Sequence, residues 1–257
     1  MPGTPLHHRI LTEITACVGF FTRIPVPAGI PLPADFAAAQ WAAPLAGLLV
    51  GGIGAITLWI GLSVGLQPEL SAIVSLAATL LATGCFHEDG LADICDGFGG
   101  GATPERKLEI MKDSRIGTFG VAGLALSLLA RWAAISALAA VTPTGAIAAI
   151  IAANVGARAP MALFMRIVQP ARDAGLSAKL GEIGATPASI SLMIGFAALL
   201  LLGWPAALTA CLCLLIWFVV LKRLCERQIG GHTGDVLGTL EQGGEIIILL
   251  IATIYLI

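Results

Sequence analysis

Charge is what this sequence has least of. Asp, Glu, Lys and Arg make up 12% of its 257 residues, against about 25% in a soluble domain. Hydrophobic residues make up 57%, and the mean hydropathy is +0.93. A soluble fold cannot hide that much apolar surface, so the solvent is mostly lipid. Alternating ten-residue segments are also missing, and the apolar runs are continuous, which excludes a transmembrane barrel. The six cysteines contain no CxxC pair and read as reduced thiols packed as small hydrophobes. No basic patch with interleaved aromatics occurs and the formal net charge is −2, so no nucleic-acid partner is expected. The opening MPGTPLHHRI lacks the apolar run of a cleavable signal, and the first spans are expected to target the chain. There is no internal repeat and no low-complexity segment.

What is present is a succession of apolar runs. They predict an all-α polytopic integral membrane protein of about seven transmembrane helices with short amphipathic, interfacial ones. The chain reads as a single integral domain, 1–257, with an interfacial N-terminal segment over 1–37 in which Ile10 to Phe21 lies along the bilayer surface. Spans are expected at about Ala38–Leu66, Glu69–Phe86, Thr118–Val141, Thr144–Met165, Pro187–Leu202 and Pro205–Leu221, with a short last one at Glu245–Ile257. Gly47, Gly51 and Gly54 in the first span suggest close helix packing. Two polar segments interrupt the series: an expected cytoplasmic active-site loop over 87–117 and a second cytoplasmic polar loop over 222–244.

The basic residues orient this layout. Twelve of the fourteen fall on one side, before the first span or in the 87–117, 166–179 and 222–227 segments. The opposite turns, near Pro68, Pro143 and Trp204, carry none. By the positive-inside rule the charged loops face the cytoplasm. The other two, Arg131 and Arg158, lie within spans, where an ionised side chain needs a partner or a polar cavity.

The densest polar stretch runs from Gly84 to Gly120 and holds seven of the sixteen acidic residues. Asp89, Asp93 and Asp96 are spaced i, i+4, i+7 and share one helix face. Three carboxylates so close repel unless a cation sits among them. Hard oxygen ligands suit Mg²⁺ or Mn²⁺, which keep waters and bind phosphate. Glu88 points about 100° away from Asp89 on a helix and is the weaker ligand. A glycine run from Gly97 to Gly101 is expected to stop the helix. His87 can be read as a ligand, a base or an interfacial polar residue.

Thr103-Pro104-Glu105 reads as the start of a short helix. Lys112, Asp113, Ser114 and Arg115 then lead into the third span, and basic groups beside helix N-terminal amides make an anion site; interfacial snorkelling accounts for the two basic residues equally well. Arg158, one helical turn after Asn154, is a further candidate for phosphate contact. In the glycine-rich stretch Gly230–Gly238, Asp235 can complete a metal shell and Thr233 can contact phosphate; the bland alternative is a flexible loop.

These residues resemble the cobalamin synthase family, the adenosylcobinamide-GDP ribazoletransferases. The resemblance is carried by a Phe-x-Thr-Arg-x-Pro-Val pattern at Phe20–Val26 and a His-x-Asp-Gly-Leu-Ala-Asp-x-x-Asp-Gly signature at His87–Gly97. A Lys-x-x-x-Met-Lys-Asp-Ser-Arg-Ile-Gly stretch at Lys107–Gly117 and a Gly-x-Thr-Gly-Asp-x-Leu-Gly pattern at Gly231–Gly238 complete it. It implies a magnesium-dependent transferase of the bacterial inner membrane, with a cytoplasmic active site. Such an enzyme joins adenosylcobinamide-GDP to α-ribazole or its 5′-phosphate and releases GMP, the nucleotide-loop assembly step of vitamin B12 biosynthesis. Asp89, Asp93 and Asp96 would hold the metal on the diphosphate. Lys112, Arg115 and Arg158 would neutralise the remaining oxygens, and one carboxylate or His87 would take the hydroxyl proton. The resemblance also allows an oligomer and association with other nucleotide-loop assembly enzymes.

Two other classes use similar residues. A CDP-alcohol phosphatidyltransferase also sets aspartates at a membrane-helix end, but its motif begins Asp-Gly-x-x-Ala-Arg, whereas Asp89-Gly90-Leu91-Ala92 is followed by Asp93. A cation transporter would place its carboxylates mid-bilayer on broken helices, and here they sit at a boundary. A purely structural scaffold needs no acidic triad.

Overall fold

The computed structural model describes residues 6–27, 33, 35–172 and 181–257. The remainder of the 1–37 segment, and Lys179, lie outside the described residues. Ten helices carry the described chain: α1 (Leu6–Phe21), α2 (Phe36–Ser63), α3 (Pro68–Thr83), α4 (Phe86–Gly100), α5 (Pro104–Ile110), α6 (Thr118–Val141), α7 (Pro143–Ile167), α8 (Ala185–Leu202), α9 (Trp204–Ile229) and α10 (Gly234–Leu256). Among the described residues there is no strand, only an isolated parallel bridge between Pro170 and His232. The protein is an all-α, multi-pass membrane protein. Among the described residues six helices are long and apolar enough to cross a membrane, and α3 with α4 makes a seventh if that bent pair counts as one span.

Local sequence explains most boundaries. Prolines open α3 and α7 at the first turn, where a missing N–H costs nothing. Thr103 caps α5 by accepting from the Arg106 amide. α1 is 16 residues long, too short to span. Its buried Glu13 takes Arg9 Nε at 2.8 Å and Trp41 Nε1 at 2.6 Å, which pins it beside the start of α2. α2 then lies along α7, where a Cβ on Gly47 would strike the Asn154 carbonyl, so only glycine permits the approach.

The pair α3–α4 bends by 89°. Gly84 and Cys85 both adopt the left-handed conformation, with φ of 66° and 58°, which ends α3 and re-aims the chain. Arg23 holds this corner: its amide donates to the Ala82 carbonyl at 2.7 Å, and its side chain lies where a Gly84 Cβ would be. The Phe-x-Thr-Arg pattern thus supports the break that starts the acidic helix.

Three expectations need correction. The 87–117 segment is largely helical rather than a loop, and its glycine run ends α4 at Gly100, with Gly101 as the cap. The 222–244 segment is not a loop: α9 continues to Ile229 and α10 begins at Gly234, leaving a four-residue turn. Accordingly the last span is 23 residues long rather than a stub from Glu245. The polar half of α10 is retained in the bundle because Glu241, Gln242 and Glu245 all find buried partners there.

The charge asymmetry tests directly with reporter fusions. Alkaline phosphatase joined after Thr142 is expected to be active, and joined after Arg223 inactive, with green fluorescent protein giving the reverse pattern. Equal activity at both points would contradict the assigned orientation.

Candidate active site

The helix α4 has two polar faces with opposite fates. His87 and Glu88 point into the bundle and are buried. Asp89 is exposed, and Asp93 and Asp96 are half-buried on the other face. The i, i+4, i+7 reading of the aspartates is therefore realised on a helix, and Glu88 is separated from them.

Across from the aspartates lies the start of α10. Gly90 and Gly238 let the two helices touch: a Cβ at Gly90 would stand 2.9 Å from Asp235 Cα, and one at Gly238 would stand 3.0 Å from the His87 carbonyl. Thr239 Oγ1 also reaches the Gly90 carbonyl at 3.4 Å. This crossing delivers Asp235 to the acidic face, so that Asp93 lies within electrostatic reach of Asp89, Asp96 and Asp235. Four carboxylates from two helices share one region, as Asp235 was expected to join them.

Their present partners differ. Asp96 accepts from the Gly117 amide at 2.6 Å and the Gly120 amide at 2.8 Å, capping the start of α6. It fixes α6 against α4 and has less free ligand capacity than its neighbours. Asp235 accepts from Thr233 Oγ1 at 3.0 Å and stands 3.7 Å from Arg172 Nη2. Thr233 also caps α10 through the Val236 amide. His232 is buried, and burial pulls its pKa down to about 4, so it is neutral at pH 7. Its amide and carbonyl pair with Gln169 and Ala171, and these bonds hold Arg172 near Asp235.

Asp89, Gly90, Asp235, Thr233, Gly234, Arg172 and His232 line one part of a cavity of about 290 Å³. Phe20, Phe21, Phe86, His87, Met161, Met165, Leu237, Gly238 and Gln40 line the rest, with His87 beside Phe21 and Phe86. Among the described residues no group of three or more His, Cys, Asp and Glu closes to metal-binding geometry. The donors nonetheless suit a hard cation that is completed by water and substrate phosphate, since such ions need only one or two carboxylates from the protein.

Two expected site residues belong elsewhere. Glu88 accepts from Arg131 Nη1 at 3.1 Å and from Gln242 Nε2 at 3.0 Å inside the bundle, which removes it as a metal ligand. Arg158, only 1% exposed, stands 2.7 Å from Glu241 and 3.4 Å from Glu245; the first contact is an ion pair rather than a well-aligned hydrogen bond, since Glu241 Oε1 has no hydrogen-bond partner. Its guanidinium also lies 3.4 Å from His87 Nδ1. Arg158 is therefore neutralised within the bundle rather than free for phosphate. Arg131 joins the same network through Glu245 Oε2 at 3.0 Å. His87 sits between the network and the cavity, with Nδ1 3.3 Å from Glu241 and Nε2 without a partner.

Lys112, Asp113, Ser114 and Arg115 form an exposed turn ahead of α6. Hydrogen bonds from Arg115 hold the Asp113 carboxyl down at about 2, so this pair stays charged without other partners. The turn adjoins Asp96 through Gly117 and does not line the cavity. Sequence reasoning missed Arg172, Gln40, Glu241 and the aromatic wall. Glu241 and Glu245 carried a signal, being acids one turn apart in a chain with two intramembrane arginines to neutralise. The aromatic wall carried none, because its phenylalanines come from two distant segments.

Residues 13–253 match the sequence model of a family described as cobalamin-5-phosphate synthase. The chain is similar to the adenosylcobinamide-GDP ribazoletransferase of Mesorhizobium japonicum, 46% identical over 257 residues that cover 100% of this chain and 98% of that protein. It is also 46% identical to the Bradyrhizobium diazoefficiens protein of the same name, over 99% of this chain and 98% of that one. The Ralstonia nicotianae protein of that name is 40% identical over 90% and 91%. No solved structure matches.

Removing one member of a buried ion network leaves the others uncompensated and costs about 3–5 kcal/mol. Arg131→Met is accordingly expected to lower the melting temperature in detergent clearly, whereas Arg115→Ala leaves it unchanged. Equal melting of Arg131→Met and wild type would remove the network as a fastening of the bundle.

Proposed function

The chain belongs to the cobalamin-5-phosphate synthase family, and we propose that it joins adenosylcobinamide-GDP to α-ribazole or its 5′-phosphate and releases GMP. The observation that carries this reading is the meeting of Asp89, Asp93 and Asp235 across the α4–α10 crossing, beside Arg172 and a cavity. The chemistry requires such a place. A ribose hydroxyl oxygen of α-ribazole forms a bond to the phosphorus attached to cobinamide. The bond from that phosphorus to the bridging oxygen breaks, GMP leaves with that oxygen, and the hydroxyl proton passes to a base or to water.

Bringing a diphosphate to several carboxylates is repulsive unless cations intervene. Asp89, Asp93 and Asp235 would hold Mg²⁺, with Mn²⁺ as a substitute. The metal would neutralise phosphate oxygens as charge develops. Arg172 supplies a fixed positive charge on the same rim, 3.7 Å from Asp235, and serves the role first expected of Arg158. Asp96 keeps α6 registered against α4 through its two amide contacts. The exposed Lys112 and Arg115 would steer the anionic substrate towards this face. The corrin ring is larger than a cavity of about 290 Å³ and would lie outside it. The positive-inside pattern supports a cytoplasmic active site on the bacterial inner membrane. Neither the lipid phosphatidyltransferase nor the cation transporter is favoured, since the relatives matched over nearly the whole chain are ribazoletransferases.

The test is GMP release by purified protein in liposomes given adenosylcobinamide-GDP and α-ribazole 5′-phosphate. GMP and a cobalamin product are expected in equal amounts, only with both substrates and Mg²⁺. Asp89→Ala and Asp93→Asn are expected to lower turnover by about a hundredfold or more while the protein still inserts. Full turnover in either variant at saturating Mg²⁺ would remove that residue from metal binding. Product formed equally well in excess chelator would remove the metal.

A further inference from the structure

The cavity is chemically divided. Its polar part carries Asp89, Asp235, Arg172 and Thr233, while its other part is walled by Phe20, Phe21 and Phe86 with the thioethers of Met161 and Met165. The three rings form one cluster: Phe20 and Phe86 have centroids 5.4 Å apart, Phe20 and Phe21 4.8 Å, and Phe21 and Phe86 6.1 Å, all near edge-to-face. Two buried polar groups interrupt this wall. Gln40 makes one long hydrogen bond, from Nε2 to the Phe36 carbonyl at 3.4 Å, and its Oε1 has no partner. His87 Nε2 has none either. A buried polar atom without a partner is costly, and here two belong to residues that line one aromatic cavity.

We infer that the aromatic part of the cavity is the base pocket for α-ribazole, with Phe20 and Phe86 as specificity-determining residues. This rests on the transferase reading above and adds which part of which substrate the cavity takes. Three groups compete for it. The corrin ring is too large for about 290 Å³. Guanine presents several donors and acceptors, and an apolar wall would leave most of them unpaired. The benzimidazole of α-ribazole is a fused aromatic system with apolar edges and a single unsubstituted ring nitrogen. It asks for stacking and one hydrogen bond, and the wall offers phenylalanines, thioethers and the Gln40 amide, whose two ends are interchangeable by rotation. The order of the walls also matches the order of the substrate. With its base among the phenylalanines, the ribose points towards Asp89 and Asp235, where its hydroxyl must meet the diphosphate.

Phe86 is 42% exposed and Phe20 is half-buried, so replacing either leaves the core intact, unlike Phe21. Stacking on an aromatic side chain is worth enough that Phe86→Ala is expected to raise the KM for α-ribazole 5′-phosphate about tenfold or more, with the KM for adenosylcobinamide-GDP unchanged. Free 5,6-dimethylbenzimidazole is expected to inhibit the wild type competitively against α-ribazole, and that inhibition is expected to be lost in Phe86→Ala. Phe20→Leu is the second variant should Phe86→Ala fail to fold. A rise in the KM for adenosylcobinamide-GDP alone, or no change in either, would overturn the assignment. Equilibrium dialysis of α-ribazole alone separates this inference from the reaction. If the wild type releases no GMP, the transferase reading fails, and the base pocket then stands only if α-ribazole binding is weakened in Phe86→Ala; undiminished binding overturns it.

Discussion

Two arginines inside an apolar bundle set the terms for the rest of this structure. Neither Arg131 nor Arg158 can reach water, and an unpaired guanidinium in such surroundings is not tolerated. Their partners are Glu88 on α4 and Glu241 and Glu245 on α10. The network therefore ties together α4, α6, α7 and α10. It also fixes the rotation of α4, because Glu88 can face inward only if Asp89, Asp93 and Asp96 face the other way. A short helix after an 89° corner would otherwise have little to decide its orientation.

Once that rotation is set, the glycine contacts do the rest. Gly90 against Asp235 and Gly238 against His87 bring two helices close enough for their aspartates to act together. The result is a stretch of like charge balanced nearby by Arg172. Carboxylates held this close favour a bound cation, which distinguishes this face from a merely solvated helix end. The same crossing opens a cavity whose far wall is aromatic, so charge and apolar surface meet within one substrate's length.

The fold was legible because lipid imposes a simple rule. Span Thr118–Val141 could be bounded from hydropathy alone, and the glycines at 47, 51 and 54 announced their helix contact. Hydropathy failed where polar residues are buried in partnership. The first half of α10 reads as a loop because Glu241, Gln242 and Glu245 look like solvated residues, and their partners lie about a hundred residues away in Ser127, Arg131 and Arg158. The acidic triad was legible from spacing, since helical periodicity is local. The displacement of Arg158 from the phosphate to the bundle was not, because an intramembrane arginine reads alike in either role. Arg172 was seen only as a topology marker, as nothing local links it to Asp235.

On the proposed reading, Asp89, Asp93 and Asp235 together would place a divalent cation on the substrate diphosphate. The most direct measurement is electron–nuclear double resonance on Mn²⁺ bound to the full-length protein with adenosylcobinamide-GDP. A phosphorus coupling to the bound Mn²⁺ is expected, and it weakens or disappears in Asp93→Asn and in Asp235→Asn. Mn²⁺ with the same phosphorus coupling in both variants would place the metal away from these aspartates.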